Sequence, residues 1–229
     1  MLNLKDNAIF IADSHYNIQR TELLTLLTHI KSGDIQTSQL FLMGDMFDFL
    51  SSKFSYFIKQ NQKVIDLLNY LSNDLEIIYF EGNHDFRLAK LFPNILIIPR
   101  EQQPYTIKND DKTIALAHGD IFTPISYNIF TKLLRSNIFL ELIDLIDINY
   151  WFSKKLENKL MVKNICHKQK DFDDFILKRI ESYNIELIIE GHYHQGKIQD
   201  NYINIPSLAC NNKYIKFSKD IFTYQKLED

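Results

Sequence analysis

Leu75-Glu76-Ile77-Ile78-Tyr79-Phe80, followed after Glu81 by Gly82-Asn83-His84-Asp85, is the stretch that decides how this chain reads. A short apolar run bounded by a turn signal is the pattern of a buried strand. The turn that stops it carries an amide oxygen, an imidazole and a carboxylate. The same arrangement recurs along the chain. Residues 8–12 (Ala-Ile-Phe-Ile-Ala) run into Asp13-Ser14-His15, and residues 40–43 (Leu-Phe-Leu-Met) run into Gly44-Asp45. Residues 113–117 end at His118-Gly119-Asp120, and residues 187–189 end at Gly191-His192-Tyr193-His194. Between these runs, Leu23, Leu24, Leu27 and Ile30 fall at helical spacing, as do Val64, Leu67, Leu68 and Leu71. Short strands alternating with amphipathic helices predict an α/β fold. In open α/β sheets, ligand sites gather at the carboxyl ends of the strands. Five separated segments are therefore expected to converge on one cleft.

The remaining chain predicts strands at about 95–98, 105–108, 202–205, 214–217 and 221–224, and helix from about 127 to 183. There is no internal repeat, low-complexity tract or Pro/Gly/Ser linker. The expectation is one domain over residues 1–229 with a helical insertion at about 125–183. At 229 residues with 45% hydrophobic content, the chain has ample material for a core. A formal net charge of −3 provides no positive field to recruit nucleic acid, so none is expected as a partner. Cys166 and Cys210 form neither a metal-ligand spacing nor a dense disulfide framework, which predicts a reducing compartment. The N-terminus lacks a basic region followed by an apolar core. No apolar run reaches the ~20 residues that a membrane span needs. A cytoplasmic protein is expected.

The turn residues carry nitrogen and oxygen donors and no thiolate. Such a set suits manganese, iron or zinc better than calcium or magnesium. The donors are too many for one ion, and a pair bridged by a carboxylate is the economical reading. Two ions about 3.5–4 Å apart can generate a hydroxide and stabilise both oxygens of an in-line phosphoryl displacement. Five of the seven histidines lie at predicted strand ends, which sets them apart from His29 on a helix and His167 in the insertion.

Asp13-x-His15, Gly44-Asp45-x-x-Asp48, Gly82-Asn83-His84-Asp85, His118 and Gly191-His192-x-His194 resemble, in order, the motifs of the calcineurin-like metallophosphoesterase family. That resemblance implies a four-layered α/β/β/α sandwich. It implies that Asp13, His15, Asp45 and His194 hold one divalent ion, expected to be Mn2+, with Fe or Zn as alternatives. Asp45 would bridge to a second ion held by Asn83, His118 and His192. His84 would protonate the leaving group or stabilise the transition state, with Asp85 orienting it.

Within the family, Asp85-Phe86-Arg87-Leu88-Ala89-Lys90-Leu91-Phe92 and the spacing from His118-Gly119-Asp120 to Tyr127-x-x-Phe130 resemble the UDP-2,3-diacylglucosamine pyrophosphohydrolases of lipid A biosynthesis. The helical insertion would then be a lid over acyl chains, with Asn83, Tyr127 and Phe130 at the substrate. That family typically carries Arg where His84 stands, as the wider family does not. Ile138, Phe139, Leu140, Leu142, Ile143, Leu145, Ile146, Ile148, Trp151 and Phe152 are apolar around more than half of a helix, a wider stripe than packing on a soluble core needs. The surplus is expected to line an acyl pocket or to rest peripherally on the inner membrane, with Lys154, Lys155, Lys159 and Lys163 meeting anionic headgroups. Packing on two sides, or a dimer contact, would use the same surface. The substrate reading is a UDP-linked acylated sugar; the alternatives are a small phosphoester of the nucleotide kind and a non-catalytic scaffold of the same fold.

Overall fold

The computed structural model describes residues 2–183 and 185–228, with the side chains of Tyr127 and Phe130 outside the described residues. Its strands are β1 (Ala8–Ile11), β2 (Gln39–Leu42), β3 (Leu50–Ser51), β4 (Glu76–Phe80), β5 (Asp85–Phe86), β6 (Leu96–Ile98), β7 (Tyr105–Asn109), β8 (Lys112–Ala117), β9 (Leu187–Glu190), β10 (Lys197–Gln199), β11 (Tyr202–Asn204), β12 (Lys213–Ser218) and β13 (Ile221–Lys226). Its helices are α1 (Glu22–Ser32), α2 (Ser55–Gln60), α3 (Gln62–Leu71), α4 (Ile125–Leu134), α5 (Asn137–Ile146), α6 (Trp151–Met161), α7 (Phe172–Tyr183) and α8 (Leu208–Asn211).

Two sheets organise the core. One runs β13-β12-β1-β2-β4-β6, with β1, β2, β4 and β6 parallel. The other runs β10-β11-β9-β8-β7, with β8, β9 and β11 parallel. β1 is buried at every residue, as a strand covered on both faces must be. Phe10, Phe41, Ile78 and Phe80 of the first sheet meet Ile107, Ile114, Leu116, Ile189 and Ile203 of the second. On the other face of the first sheet, Ile9, Ile11, Leu40, Leu42, Ile77 and Tyr79 pack with Leu23, Leu26 and Leu27 of α1 and Val64, Ile65 and Leu68 of α3. Helix α7 covers the second sheet, with Phe172 and Ile176 against Ile188 and Tyr202. The fold is mixed α/β, as the alternation of runs and helical patterns predicts. β3 and β5 make a two-stranded parallel sheet of their own.

The segment expected to be one helical insertion divides. Helix α7 is part of the body, whereas Leu140 and Ile143 of α5 and Leu156 of α6 belong to a separate apolar cluster with Phe54, Tyr56, Phe57 and Phe86. The apolar run of 138–152 is broken in two because Asp147 caps α6. Its Oδ1 accepts the Phe152 N–H at 2.7 Å and its Oδ2 the Ser153 N–H at 3.1 Å. Asn149 and Tyr150 take positive φ of 54° and 57° at the break. Only part of the apolar stripe is covered: Ile138, Leu142, Leu145, Ile146, Ile148 and Trp151 are exposed. Among the described residues, no helix is long and apolar enough to cross a membrane.

The expectation of reduced thiols is overturned. Cys166 and Cys210 form a disulfide, their Cα atoms 5.5 Å apart. Their separation of 44 residues concealed it, because only the fold brings the end of the insertion beside α8.

Candidate metal centre

The turn residues converge as the strand-end rule predicts. β1 leads to Asp13 and His15, β2 to Asp45, β4 to Asn83 and His84, β8 to His118, and β9 to His192 and His194. Backbone bonds hold the turns against each other. The Asp13 N–H donates to the Gly44 carbonyl at 3.1 Å, and the His15 N–H to the Asp45 carbonyl at 3.0 Å. Asp13, His15, Asp45, His192 and His194 have φ of 52°, 41°, 53°, 65° and 60°. Non-glycine residues in this region cost on the order of 1–3 kcal/mol each and persist where the surroundings over-determine them. Two glycines admit the close approach. A Cβ on Gly82 would collide with the Asp45 carboxylate, and one on Gly44 with the His118 ring.

Among the described residues, three sets of side chains bring one donor atom each within 4.8 Å of one another: Asp13, His15 and His194; Asp45, His118 and His192; and His15, Asp45 and His84. Asp45 is common to the last two, the position that a bridging carboxylate needs. Backbone carbonyls fix three of the imidazoles. Nδ1 of His118 lies 2.9 Å from the Met43 carbonyl, Nδ1 of His84 2.6 Å from that of Asp48, and Nδ1 of His194 2.8 Å from that of Ile165. A carbonyl only accepts, so each Nδ1 carries the hydrogen and Nε2 is turned toward the cluster. His118 Nε2 then stands 3.5 Å from Asp45 Oδ2, 3.3 Å from Asn83 Oδ1 and 3.2 Å from His192 Nδ1.

The donor set fits a cation on two counts. Asp13 Oδ1 and both ring nitrogens of His15 are buried without a hydrogen-bond partner. Groups so buried are costly unless something complements them. The electrostatics agree. Burial pushes the His118 imidazole down, but the Asp45 carboxylate outweighs it and lifts the pKa to about 10. Burial and the charge on His118 push His192 down to about 4. Burial raises the Asp13 and Asp45 carboxyls, yet His194 for the first and His118 for the second hold both below the ordinary range. Ionised carboxylates, with a proton on one histidine of the group and not on its neighbour, leave positive charge for which metal cations are the natural substitute.

Asp85 departs from its expected role. Its Oδ1 accepts from the N–H groups of Asp45 at 3.0 Å and Gly82 at 2.9 Å. Its Oδ2 accepts from the Met46 N–H and the Tyr79 hydroxyl, both at 2.6 Å. The carboxylate thus braces two metal-site turns, and it is the Asp48 carbonyl that orients His84. The Asp48 side chain holds Arg20 and Asn17 through Oδ2, each at 2.5 Å, with Oδ1 3.6 Å from His15 Nδ1.

Behind His192 lies a charged network that no motif announced. Glu190, fully buried at the end of β9, accepts from Arg179 of α7 and from the hydroxyls of Tyr183 and Tyr202. Arg179 also donates to the carbonyls of Ile121 at 3.0 Å and Gly119 at 3.2 Å. Charged residues on a helix read as a solvated face from spacing alone, so this pair was missed.

The metal cleft measures about 310 Å3 and is lined by His15, Asp45, Asn83, His84, His192 and His194, with Lys163 and His167 from the segment after α6. A second chamber of about 250 Å3 adjoins it, walled by Phe54, Phe86, Phe139, Leu140, Ile143 and Phe152 among others. Asn83 lines both. Tyr127 and Phe130, expected at the substrate, lie on α4, but their side chains are outside the described residues.

The calcineurin-like phosphoesterase family model matches residues 7–196. A protein of Wigglesworthia glossinidia brevipalpis named UDP-2,3-diacylglucosamine hydrolase is 25% identical over 84% of this chain and 81% of its own. One of Vibrio atlanticus (strain LGP32) with the same name is 24% identical over 96% of this chain and 94% of its own. Among solved structures, the phosphoesterase YfcE from E. coli aligns over 97% of this chain and 94% of its own, at 14% identity and a TM-score of 0.49. With the family model spanning every turn of the cluster, the chain belongs to the calcineurin-like phosphoesterase family and is a phosphoester hydrolase.

Proposed function

We propose that the protein hydrolyses UDP-2,3-diacylglucosamine to UMP and 2,3-diacylglucosamine 1-phosphate with two divalent ions, manganese being the best match to the donors and iron or zinc the alternatives. The observation that carries this reading is the apolar chamber opening beside the metal cleft, with Asn83 on the wall of both. A substrate that is a pyrophosphate at one end and acyl chains at the other needs two such adjoining spaces. The names of the relatives support the same choice.

In this reading Asp13, His15, Asp45 and His194 hold one ion, and Asp45, Asn83, His118 and His192 the other. When bound, the pair polarises a phosphoryl oxygen and lowers the pKa of the attacking water. His84, its Nδ1 fixed by the Asp48 carbonyl, presents its other face to the cleft, where it stabilises or protonates the departing oxygen. Asp85 keeps the turns of β2 and β4 in register. Tyr127 and Phe130 bind substrate from α4. The exposed apolar face of α5 and the Ile148–Tyr150 turn, with Trp151, Lys154, Lys155 and Lys159 beyond it, rests peripherally on the inner membrane, from which the acyl chains enter.

One observation favours a second reading, a phosphodiesterase acting on a nucleotide or other small ester. The imidazole of His84 stands where the lipid-specific relatives would place Arg. UMP release from UDP-2,3-diacylglucosamine with added manganese, measured beside hydrolysis of bis-p-nitrophenyl phosphate, separates the two. The lipid reading expects both activities. It also expects Ile143→Trp, which fills the chamber, to lower the first relative to the second by about tenfold. Cleavage of the small diester with no UMP release establishes the second reading instead.

A further inference from the structure

Arg135, the residue that follows α4 as its C-cap, is the one charged side chain lining the apolar chamber among the described residues. It is only 6% exposed. Its Nη2 donates to the Gly82 carbonyl at 2.6 Å, its guanidinium lies 5.2 Å from the centre of the Phe86 ring, and Asp120 Oδ2 is 3.7 Å away. That oxygen already accepts from Arg100 Nε at 2.8 Å. Glu81 also faces the guanidinium, but one of its oxygens accepts the Leu88 N–H at 2.9 Å. Arg135 Nη1 is buried and has no hydrogen-bond partner among the described residues. Asp120 retains an orphan of its own, Oδ1, so the long contact between the two consumes neither atom.

A buried cationic donor without an acceptor is costly, and in a ligand chamber the ligand is what can supply one. The position says which part of the ligand. Gly82, which Arg135 grips, precedes Asn83 in the chain, and Asn83 faces the metal cleft. The guanidinium therefore stands where the polar end of a bound molecule gives way to its apolar end. In an acylated sugar the groups at that junction are the ester or amide carbonyls. A neutral acceptor also suits the charge balance, because Asp120 and Glu81 already face the guanidinium while the phosphates go to the metals.

We propose that Arg135 is a specificity-determining residue whose Nη1 donates a hydrogen bond to an acyl carbonyl of the substrate, so that the enzyme reads the linkage and not only the length of the chain. This rests on the lipid substrate proposed above. The test uses the metal-loaded full chain, as wild type, Arg135→Met and Arg135→Lys. Substrates are UDP-2,3-diacylglucosamine and an analogue whose chains are joined by ether links, which lack the carbonyls. Each kcat/KM is normalised to hydrolysis of bis-p-nitrophenyl phosphate by the same preparation, and bound metal is measured.

The expected result is a wild-type preference for the acyl over the ether substrate of about 10- to 100-fold, carried mainly in KM. Arg135→Met removes that preference, and Arg135→Lys retains part of it. A merely structural role through Gly82 would lower both rates together and keep the ratio, which overturns the inference. So does a wild type that cleaves both substrates equally, whatever becomes of the variants. A wild type that cleaves the small diester but neither lipid refutes the substrate reading itself, and this inference falls with it.

Discussion

Replacing Arg179 by alanine tests whether the metal site rests on the charged network beneath β9. Arg179 is 6% exposed and Glu190 not exposed at all. The substitution removes both guanidinium contacts to Glu190 and the donors to the Ile121 and Gly119 carbonyls, and leaves the carboxylate two tyrosine hydroxyls. Breaking a buried ion pair by deleting one partner costs about 3–5 kcal/mol, because the survivor is left charged and unpaired. A chain of this size loses roughly 2–4 °C of Tm per kcal/mol, so the expected fall is about 6–20 °C. Thermal unfolding at neutral pH with saturating metal measures that fall, and urea unfolding the free energy. Adding Glu190→Gln to Arg179→Ala neutralises the stranded charge and is expected to recover at least about 1 kcal/mol. A loss below about 1 kcal/mol for Arg179→Ala, or no recovery in the double variant, would refute the view that this pair is a stabilising buried contact.

Chelation should abolish hydrolysis and lower the unfolding midpoint, since a ligand at 100 times its Kd contributes about 2.7 kcal/mol; calorimetry with and without EDTA, followed by re-addition of manganese, is the check. Gly82→Ala should lose bound metal and activity, because the new methyl collides with both the carboxylate and the backbone nitrogen of Asp45; metal analysis beside circular dichroism separates loss of the site from loss of the fold. The Lys53 ammonium bonds to Glu141 and holds its carboxyl below the ordinary range. A depressed carboxyl stabilises the contact above its unfolded pKa and loses it as pH falls through the folded value. Emission from Trp151, the single tryptophan, should therefore change on acidification from pH 5 to 3 in wild type and less so in Lys53→Met.

Much of this was legible because the decisive signals are local. β1, β2 and β4 are short runs buried at nearly every residue, and each stops at a polar turn. Asp13, Asp45, His118 and His192 could be placed together once the runs were read as parallel strands. What stayed hidden depends on partners distant in sequence. Asp85 looked like a companion to His84 because it is the next residue, yet its carboxylate is taken up by the backbone N–H groups of Asp45, Met46 and Gly82. The break at Asp147 was lost in an apolar run, since a cap is defined by the backbone that it meets. Arg135 and Arg179 are charges on helices, and no periodicity distinguishes a buried guanidinium from a solvated one.

The disulfide gives the insertion two unlike ends. Cys166 follows Ile165, whose carbonyl holds the His194 ring, and Cys210 lies in α8, where the Ser207 hydroxyl that caps the helix also donates to the Asp13 carbonyl at 2.8 Å. That end is riveted to the floor of the metal cleft. Toward α5 and α6 the moorings are noncovalent: Leu140 packs with Phe54, Phe57 and Phe86, while Lys53 bonds to Glu141, Ser55 to Asp144 and Tyr56 to Glu157. The insertion is thus tied to the wall of the metal cleft by a covalent bond at one end and by noncovalent contacts at the other.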